Sequence, residues 1–172
     1  DPTLDMAKKY PELIFMHCSG FKVNHNMGTY FGRMYQARYL SGLIAGKMTK
    51  TNKIGYLLPF PIPECIRGAN AFAIGVREVN PNATVQVVWT STWYNPEKER
   101  EVATEMIENG CDLLTQHQDS PAAVLVAKEN EKWAIGYDSD MGPIAPEAHL
   151  TSPIWHWGDR KSTRLNSSHR IR

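Results

Sequence analysis

Residues 53–141 decide the fold, because one pattern recurs there three times and then half-repeats. An apolar run stops at a polar or aromatic loop, and a proline then opens a helical segment. The apolar runs are IGYLL (54–58), VQVVW (85–89), LLT (113–115) and WAIGY (133–137). Strands that alternate with helices in this way are typical of βαβ units. The sequence therefore predicts an α/β protein with a parallel sheet.

The three predicted helix starts share a chemical signature. Proline suits the first position of a helix, because its missing N–H would be unpaired there. An Asn, Asp or Ser just before it can cap the free amides. The starts are Pro63-Glu64, Asn95-Pro96-Glu97 and Asp119-Ser120-Pro121. Elsewhere we expect helices at 1–10 and 29–48, a strand at 13–17, a polar loop at 19–27 and an extended segment at 149–157.

The composition is that of an ordinary soluble globular chain, with 42% hydrophobic and 22% charged residues among 172. The net charge of +1 is misleading, because five of the 19 basic residues and none of the 18 acidic residues follow Asp159. Residues 1–159 therefore carry a net charge of −4. This argues against a nucleic-acid or anionic-membrane surface on the body of the protein. No signal peptide and no apolar run of about 18 residues is visible.

The last thirteen residues, 160–172, carry Ser, Arg and Asn without apolar periodicity. A disordered basic tail is one interpretation. A sharper one is that the segment resembles a translated sequencing-adapter remnant, and we exclude it from the fold as a non-native tail. The cysteines Cys18, Cys65 and Cys111 have no C-x-x-C spacing, so we expect three buried thiols and no zinc site or redox pair.

Ligands of parallel α/β sheets bind at the carboxyl ends of the strands. Two loops at that edge carry aromatic side chains. Phe60 lies in a proline-rich turn that is either structural or the wall of a binding site. Trp93 and Tyr94 precede a helix without apolar periodicity around them, which suits stacking against a flat ligand.

The other two loops at that edge are polar. His117 and Asp119 follow an apolar strand, and Asp119 either caps the next helix or hydrogen-bonds a ligand. Asp138 and Asp140 end the last apolar run. They form either a turn or a carboxylate pair that accepts hydrogen bonds from sugar hydroxyls or ring N–H groups.

An enzyme is the less favoured interpretation. Asp138 and Asp140 match the first two positions of the Asp-x-Asp-x-Thr motif of haloacid-dehalogenase-type phosphatases, but Gly142 stands where that motif has Thr. There is no P-loop, G-x-G-x-x-G, G-x-S-x-G or H-E-x-x-H motif. The histidines are too scattered for us to propose a metal site. The residues alone predict an α/β protein that binds something flat and polar.

An ordered set of segments resembles the basic-membrane-protein family, the purine-nucleoside-receptor-like substrate-binding lipoproteins of ABC transporters. The set begins with NMGTYFGR (26–33) and YQARYLSG (35–42). It continues through residues 53–56, 61–64, 67–68, 71–72, 93–96 with Glu99, 114–117, 119–122, 136–141 and 155–159. The resemblance covers essentially all of residues 1–159, and the order of its segments is more specific than any one of them.

The resemblance implies a type I periplasmic-binding fold, in which two Rossmann-like lobes close on a ligand. Residues 1–50 would be the C-terminal part of the first lobe, 53–150 the second lobe and 151–159 the start of the return crossover. The connector 49–52 would be the boundary. The chain would then be a fragment with half of the cleft absent, and we expect marginal stability or aggregation.

The resemblance also implies a ligand site and partners. Matched by position, Asp138 would be the ligand carboxylate, with His117 and Asp119 on the neighbouring strand end. Trp93 and Phe60 would be ring partners, Asn26 would lie at the hinge, and Trp155 would lie on the crossover. The ligand would be a purine nucleoside, a nucleobase or another small aromatic molecule, because this chain has Trp and His where relatives often have Phe and Gly.

The protein so implied catalyses nothing and needs no cofactor. It would deliver its ligand to an ABC permease, in the periplasm or at the cell surface, from a lipid anchor. The alternatives are the Asp138/Asp140 phosphatase and a ligand-sensing regulatory domain, since the same bilobal fold serves regulators.

Overall fold

The computed structural model describes residues 1–157. Residues 158–159 of the expected crossover and the expected non-native tail lie outside the described residues. The chain forms two compact units, one spanning Asp1–Met34 and one beginning at Tyr35. Within the described residues, no helix is both long enough and apolar enough to cross a membrane.

The first unit contains one helix and a pair of parallel strands. Helix α1 (Pro2–Lys9) begins at Asp1, whose carboxylate accepts hydrogen bonds from the amides of Thr3 and Leu4. This confirms the first predicted helix. Strands β1 (Phe15–Cys18) and β2 (Met27–Tyr30) pair in parallel.

The predicted helix at residues 29–48 is wrong at its start. Helix α2 is Met34–Met48, and the residues before it belong to β2. Thr29 and Tyr30 favour strands, and their backbone pairs with His17 and Cys18 of β1. The pairing of β1 with β2, which are separated in sequence, therefore takes the place of the first turns of the predicted helix. Cys18, expected to be buried, is only partly so, whereas Cys65 and Cys111 are buried.

The second unit is the predicted alternation of strands and helices. After α2 come β3 (Lys53–Leu58), α3 (Pro63–Val79), β4 (Thr84–Trp89), α4 (Pro96–Glu108), β5 (Leu113–Gln116) and α5 (Ala122–Glu129). Strands β6 (Trp133–Ile135) and β7 (His149–Thr151) follow, with a short 3-10 helix between them. The five strands pair in parallel in the order β4-β3-β5-β6-β7.

Helices cover both faces of this sheet. On one face, Ile54, Tyr56 and Leu58 of β3 pack with Phe72 and other residues of α2 and α3. On the other face, Leu57 packs with residues of α4 and α5, including Val102, Met106, Val124 and Ala127. A strand buried on both faces explains why the run 54–58 is apolar throughout rather than alternating.

The starts of α3 and α4 confirm the proline signature, since Pro63 and Pro96 are their first residues. Asn95 caps α4 by accepting a hydrogen bond from the amide of Lys98. The predicted start of α5 is wrong by one residue, because Pro121 is the residue before the helix. Ser120, not Asp119, accepts a hydrogen bond there, from the amide of Ala122 at 3.3 Å. The interpretation of Asp119 as the cap of this helix is therefore wrong.

The polar connector at residues 49–52 is held to the start of β5. Asp112 accepts hydrogen bonds from the Thr49 hydroxyl at 2.6 Å and from the amides of Lys50 and Thr51 at 2.6 and 3.0 Å. Burial alone would raise the pKa of Asp112, but these hydrogen bonds outweigh it and hold the pKa below its usual value. The lobe limits of the complete protein stay a prediction; in this chain the compact units divide after Met34.

Helices α2 and α3 approach closely because each carries glycine at the crossing. A Cβ atom on Gly75 of α3 would collide with the carbonyl oxygen of Tyr39, and one on Gly42 of α2 would collide with that of Phe72. The two helices therefore pack backbone against backbone at Gly42 and Gly75.

We expect Gly75→Ala to destabilise the chain, because the methyl group meets a rigid carbonyl group and the helices must separate. Overpacking of this kind costs about 1–3 kcal/mol. Gly68→Ala on the same helix is the matched control, since its methyl group would lie 3.7 Å from Cγ of Arg38 and 3.9 Å from Oη of Tyr56, at ordinary contact distance. Denaturant unfolding of both variants is the measurement. Equal stability of the two variants would contradict the crossing described here.

Candidate functional site

The loops that follow β3, β4, β5 and β6 lie at one edge of the sheet. The parallel register aligns Leu58 with Trp89, Leu57 with Gln116, and Thr115 with Ile135. The residues that come next in each chain segment are therefore neighbours in space. All predicted site residues of the second unit, except Trp155, are on these loops.

Four rings form a row along this edge. The ring centroids of Phe60 and Trp93 are 5.7 Å apart, and those of Trp93 and His117 are 6.2 Å apart. The row continues from His117 to Tyr137, with centroids 4.1 Å apart and planes inclined by 33°. Trp93 is 40% exposed, whereas His117 is 2% exposed. Trp93 can therefore meet a ligand directly, while His117 supports the row from below.

The Trp93 loop is fastened to the loop after β5. The side-chain amide of Gln118 donates to the Thr90 hydroxyl at 2.9 Å and to the Thr92 carbonyl at 3.0 Å. The backbone amide of Asp119 donates to the Trp93 carbonyl at 3.0 Å. These hydrogen bonds fix the backbone on both sides of the indole. Asp119 lies outside α5 because its backbone amide is hydrogen-bonded to this neighbouring loop.

A buried carboxylate completes this fastening. Glu99, fully buried in α4, accepts hydrogen bonds from the amide of Asn95 at 2.8 Å and from the hydroxyl of Ser120. Buried carboxylates are stable only when they are hydrogen-bonded in this way. Glu99 thus joins the start of α4 to the loop before α5.

Asp138 has an exposed side chain and a left-handed backbone, with φ at 68°. Asp and Asn tolerate this region better than most residues, so the geometry suits the residue type. Its amide donates to the Pro153 carbonyl at 3.0 Å, and its carbonyl accepts from the Trp155 amide at 3.3 Å. The backbone is therefore held from both sides while the carboxylate remains available.

Trp155 lies beside Asp138 and contacts Tyr137, a member of the row of rings. Its side chain hydrogen-bonds Tyr137, and its ring stacks on that of Trp157 with centroids 4.8 Å apart. Burial raises the pKa of Tyr137 far above its usual value, although the hydrogen bond from Trp155 and the charge of Arg38 oppose this shift. Tyr137 is therefore an uncharged phenol at neutral pH.

Asp140 takes the role of a turn residue, because its carboxylate accepts a hydrogen bond from the amide of Gly142 at 2.9 Å. Among the described residues, no group of three or more His, Cys, Asp or Glu side chains is arranged to hold a metal ion. Asp140 is thus a turn residue, whereas Asp138 presents an exposed carboxylate.

Asn26 lies in the first unit and has a structural role there. It is buried, and its side-chain amide lies within hydrogen-bond distance of the carbonyls of Ala7, Tyr10 and Leu13, at 2.9, 3.1 and 2.9 Å. These bonds tie α1 and the segment after it to the start of β2. A ligand contact by Asn26 stays a prediction.

The sequence did not single out Arg38, Glu64 or Tyr137. Arg38 is fully buried in α2, and its Nη2 atom donates to the carbonyl of Gln116 at 2.8 Å. Glu64 opens α3, and its Oε1 atom lies 3.4 Å from Nε2 of His117. Charged residues in amphipathic helices usually face solvent, so the helical pattern gave no signal for Arg38 or Glu64. Tyr137 was taken as the last residue of an apolar run.

Exposed carboxylates gather at the outer side of this edge. The pKa of Asp119 is raised by partial desolvation and then by the negative charges of Asp138 and Glu99, although its side chain is largely exposed. The pKa of His117 is lowered, mainly because burial disfavours the charged ring. The edge therefore presents negative charge above an uncharged imidazole.

Comparison with known proteins agrees with this architecture. Residues 1–168 match the family described as ABC transporter substrate-binding protein, PnrA-like. A solved structure of a solute-binding protein of an ABC transporter system from Aeropyrum pernix K1 has a TM-score of 0.76 at 19% identity, and covers 88% of this chain and 46% of that chain. This likeness concerns the fold alone and confirms the type I periplasmic-binding architecture.

Two curated relatives are similar over nearly the whole chain. A Haloferax volcanii protein named as a proposed ABC transporter glucose-binding protein is 45% identical over 169 residues, which are 98% of this chain and 43% of that protein. A purine-binding protein of Brucella abortus strain 2308 is 42% identical over 158 residues, which are 92% of this chain and 45% of that protein. The chain thus spans less than half the length of these relatives. With the match over residues 1–168, these identities show that the chain belongs to the PnrA-like family of ABC transporter substrate-binding proteins.

Proposed function

We propose that this chain carries the second-lobe half of a binding site for an uncharged purine, either a nucleoside or a nucleobase. The observation that carries the proposal is the row of rings from Phe60 through Trp93 to His117 and Tyr137, which ends beside the exposed carboxylate of Asp138. Aromatic faces bind flat ligands through stacking. A carboxylate accepts hydrogen bonds from a ring N–H, an amino group or a pair of ribose hydroxyls.

The charge of the edge favours an uncharged ligand over a phosphorylated one. Asp119, Asp138 and Asp140 are exposed there, and the pKa of Asp119 is raised by partial desolvation and then by the charge of Asp138. The guanidinium group of Arg38 is fully buried and offers no phosphate contact. A phosphate group would meet like charges, which is unfavourable. Nucleosides should therefore bind and nucleotides should not.

A sugar is the second candidate, because the Haloferax relative, at 45% identity, is named for glucose binding. Aromatic rings and carboxylates also suit sugars, since a pyranose stacks on an indole and its hydroxyls donate to carboxylates. The exposed indole of Trp93 beside Phe60 also suits the flat face of a purine. The purine name of the Brucella relative supports the same choice.

In the complete protein we propose that the ligand is bound between two lobes, delivered to an ABC permease and released unchanged. The site would lie in the periplasm or outside the cell, with a lipid anchor holding the protein to its membrane. Asn26 at the hinge and Trp155 on the crossover are the remaining proposed ligand contacts.

Isothermal titration of the chain with adenosine, adenine, adenosine monophosphate and glucose tests the proposal. We expect adenosine or adenine to bind, and the monophosphate to bind at least tenfold more weakly. Asp138→Asn should lower purine affinity about tenfold or more, because a charge-assisted hydrogen bond contributes about 1.5–3 kcal/mol. Asparagine also tolerates the left-handed backbone at this position, so the change removes the charge without adding strain.

Asp140→Asn is the matched control for this experiment. It removes a carboxylate two residues away and keeps an oxygen that can accept from the Gly142 amide. Its purine affinity should be unchanged. Unaltered affinity of Asp138→Asn for every purine would refute the role of Asp138. If glucose binds and no purine does, the ligand is a sugar and not a purine. Turnover of a phosphoester that requires Mg²⁺ and Asp138 would instead favour the phosphatase.

A further inference from the structure

Arg38 is a buried cation without a counter-ion. Its side chain is fully buried, and among the described residues no carboxylate oxygen lies within ion-pair distance of its nitrogens. Nη2 donates to the carbonyl of Gln116, but Nε and Nη1 make no hydrogen bond. A buried charge left unpaired is strongly unfavourable, and apolar replacements of buried charges are often more stable.

The surroundings of Arg38 show where its guanidinium group acts. Cζ lies 4.4 Å from the ring centroid of Tyr137 and 5.3 Å from that of Tyr56. Cation–π contacts of a desolvated guanidinium are favourable, but they offset only part of the burial cost. The Tyr137 ring packs in turn against His117. Arg38 therefore contacts one member of the row of rings, Tyr137, which in turn packs against a second, His117.

Unsatisfied polar atoms concentrate at the same place. Among the described residues, nine buried side-chain nitrogen and oxygen atoms make no hydrogen bond, and eight of them belong to Arg38, Tyr56 or the segment 115–118. Natural proteins leave few such atoms, and those that remain often mark functional sites. The region beneath the candidate site is thus less favourable for stability than the rest of the core, which fits a functional constraint.

We propose that Arg38 is a positioning residue for the ligand site, which holds the Gln116 carbonyl and the Tyr137 ring in place and, through Tyr137, supports the neighbouring His117 ring. This inference rests on the proposed function, because the buried rings that Arg38 supports lie beside the exposed ring of Trp93, which is a proposed ligand contact. Arg38 itself does not reach the ligand. It acts through Tyr137 and His117.

Arg38 and Glu64 shift the pKa of His117 in opposite directions, because their charges are opposite. Arg38 of α2 disfavours the charged ring, whereas Glu64 of α3 and Asp138 after β6 favour it. Nε2 lies 3.4 Å from Oε1 of Glu64 and makes no hydrogen bond. Burial is the largest effect, so the ring stays neutral and its pKa lies below the usual value. A charged ring would place a second cation beside Arg38.

Replacing Arg38 separates positioning from stability. We expect Arg38→Met to leave the melting temperature unchanged or raise it, because an unpaired buried charge is removed. The same variant should bind adenosine at least tenfold more weakly, because Tyr137 and His117 lose their support. Arg67→Met is the matched control, since Arg67 also lies over a tyrosine ring, that of Tyr35 at 5.8 Å, but is exposed. Arg67→Met should change neither the melting temperature nor the affinity for adenosine.

Two results would overturn this proposal. One is a parallel fall of melting temperature and affinity in Arg38→Met, which would make Arg38 an ordinary structural residue. The other is full affinity in that variant.

Arg38→Lys keeps the charge but not the planar group, so affinity between those of wild type and Arg38→Met is expected.

A ligand-free measurement keeps this proposal testable if no purine binds. The ring proton signals of His117, followed by NMR against pH, report its pKa in the folded chain. Removing the positive charge in Arg38→Met should raise this pKa, and removing the negative charge in Glu64→Gln should lower it. If both variants titrate like wild type, Arg38 does not act on His117. If these shifts appear but no purine binds, the proposed ligand is wrong and the positioning role stands.

Discussion

The parallel pairing of β3 with β4 on one side and with β5 on the other is the constraint on which the structure depends. It buries β3 on both faces and requires helices above and below the sheet. It also brings the ends of the strands together, so the loops at Phe60, Trp93 and His117 become neighbours. The core and the candidate site therefore have one physical origin. A shift of register would separate the rings and expose the core at the same time.

The candidate site is held by buried polar groups rather than by apolar packing alone. Glu99 and Gln118 fasten its two central loops, and their hydrogen bonds leave the Trp93 ring free to face outward. Arg38 lies beneath with an uncompensated charge. Burial of such groups is costly, so a chain selected for stability alone would replace them. We infer that these groups are present because they hold the rings and a carboxylate in a fixed arrangement for a ligand.

Much of the second unit could be predicted from sequence, because strand burial and proline at helix starts are local signals. Pro63 and Pro96 were placed correctly on that ground, and so were the strands they follow. Strand β2 was missed, because its pairing with β1 is a contact between residues far apart in sequence. Of the two interpretations of Asp119, the helix cap was wrong, because its backbone amide donates to the carbonyl of Trp93 on a different loop. Arg38 and Glu64 gave no signal, since only the folded sheet brings them beneath His117.

The most direct test is a map of backbone amide shifts in the NMR spectrum of the chain on addition of adenosine. Binding at the row of rings predicts shifts in residues 59–62, 90–95, 116–121 and 136–141, at the carboxyl ends of the strands. The loops at the opposite edge, residues 80–83, 109–112 and 130–132, should not change. Shifts confined to that opposite edge, or spread evenly over the sheet, would contradict a ligand site at the carboxyl ends.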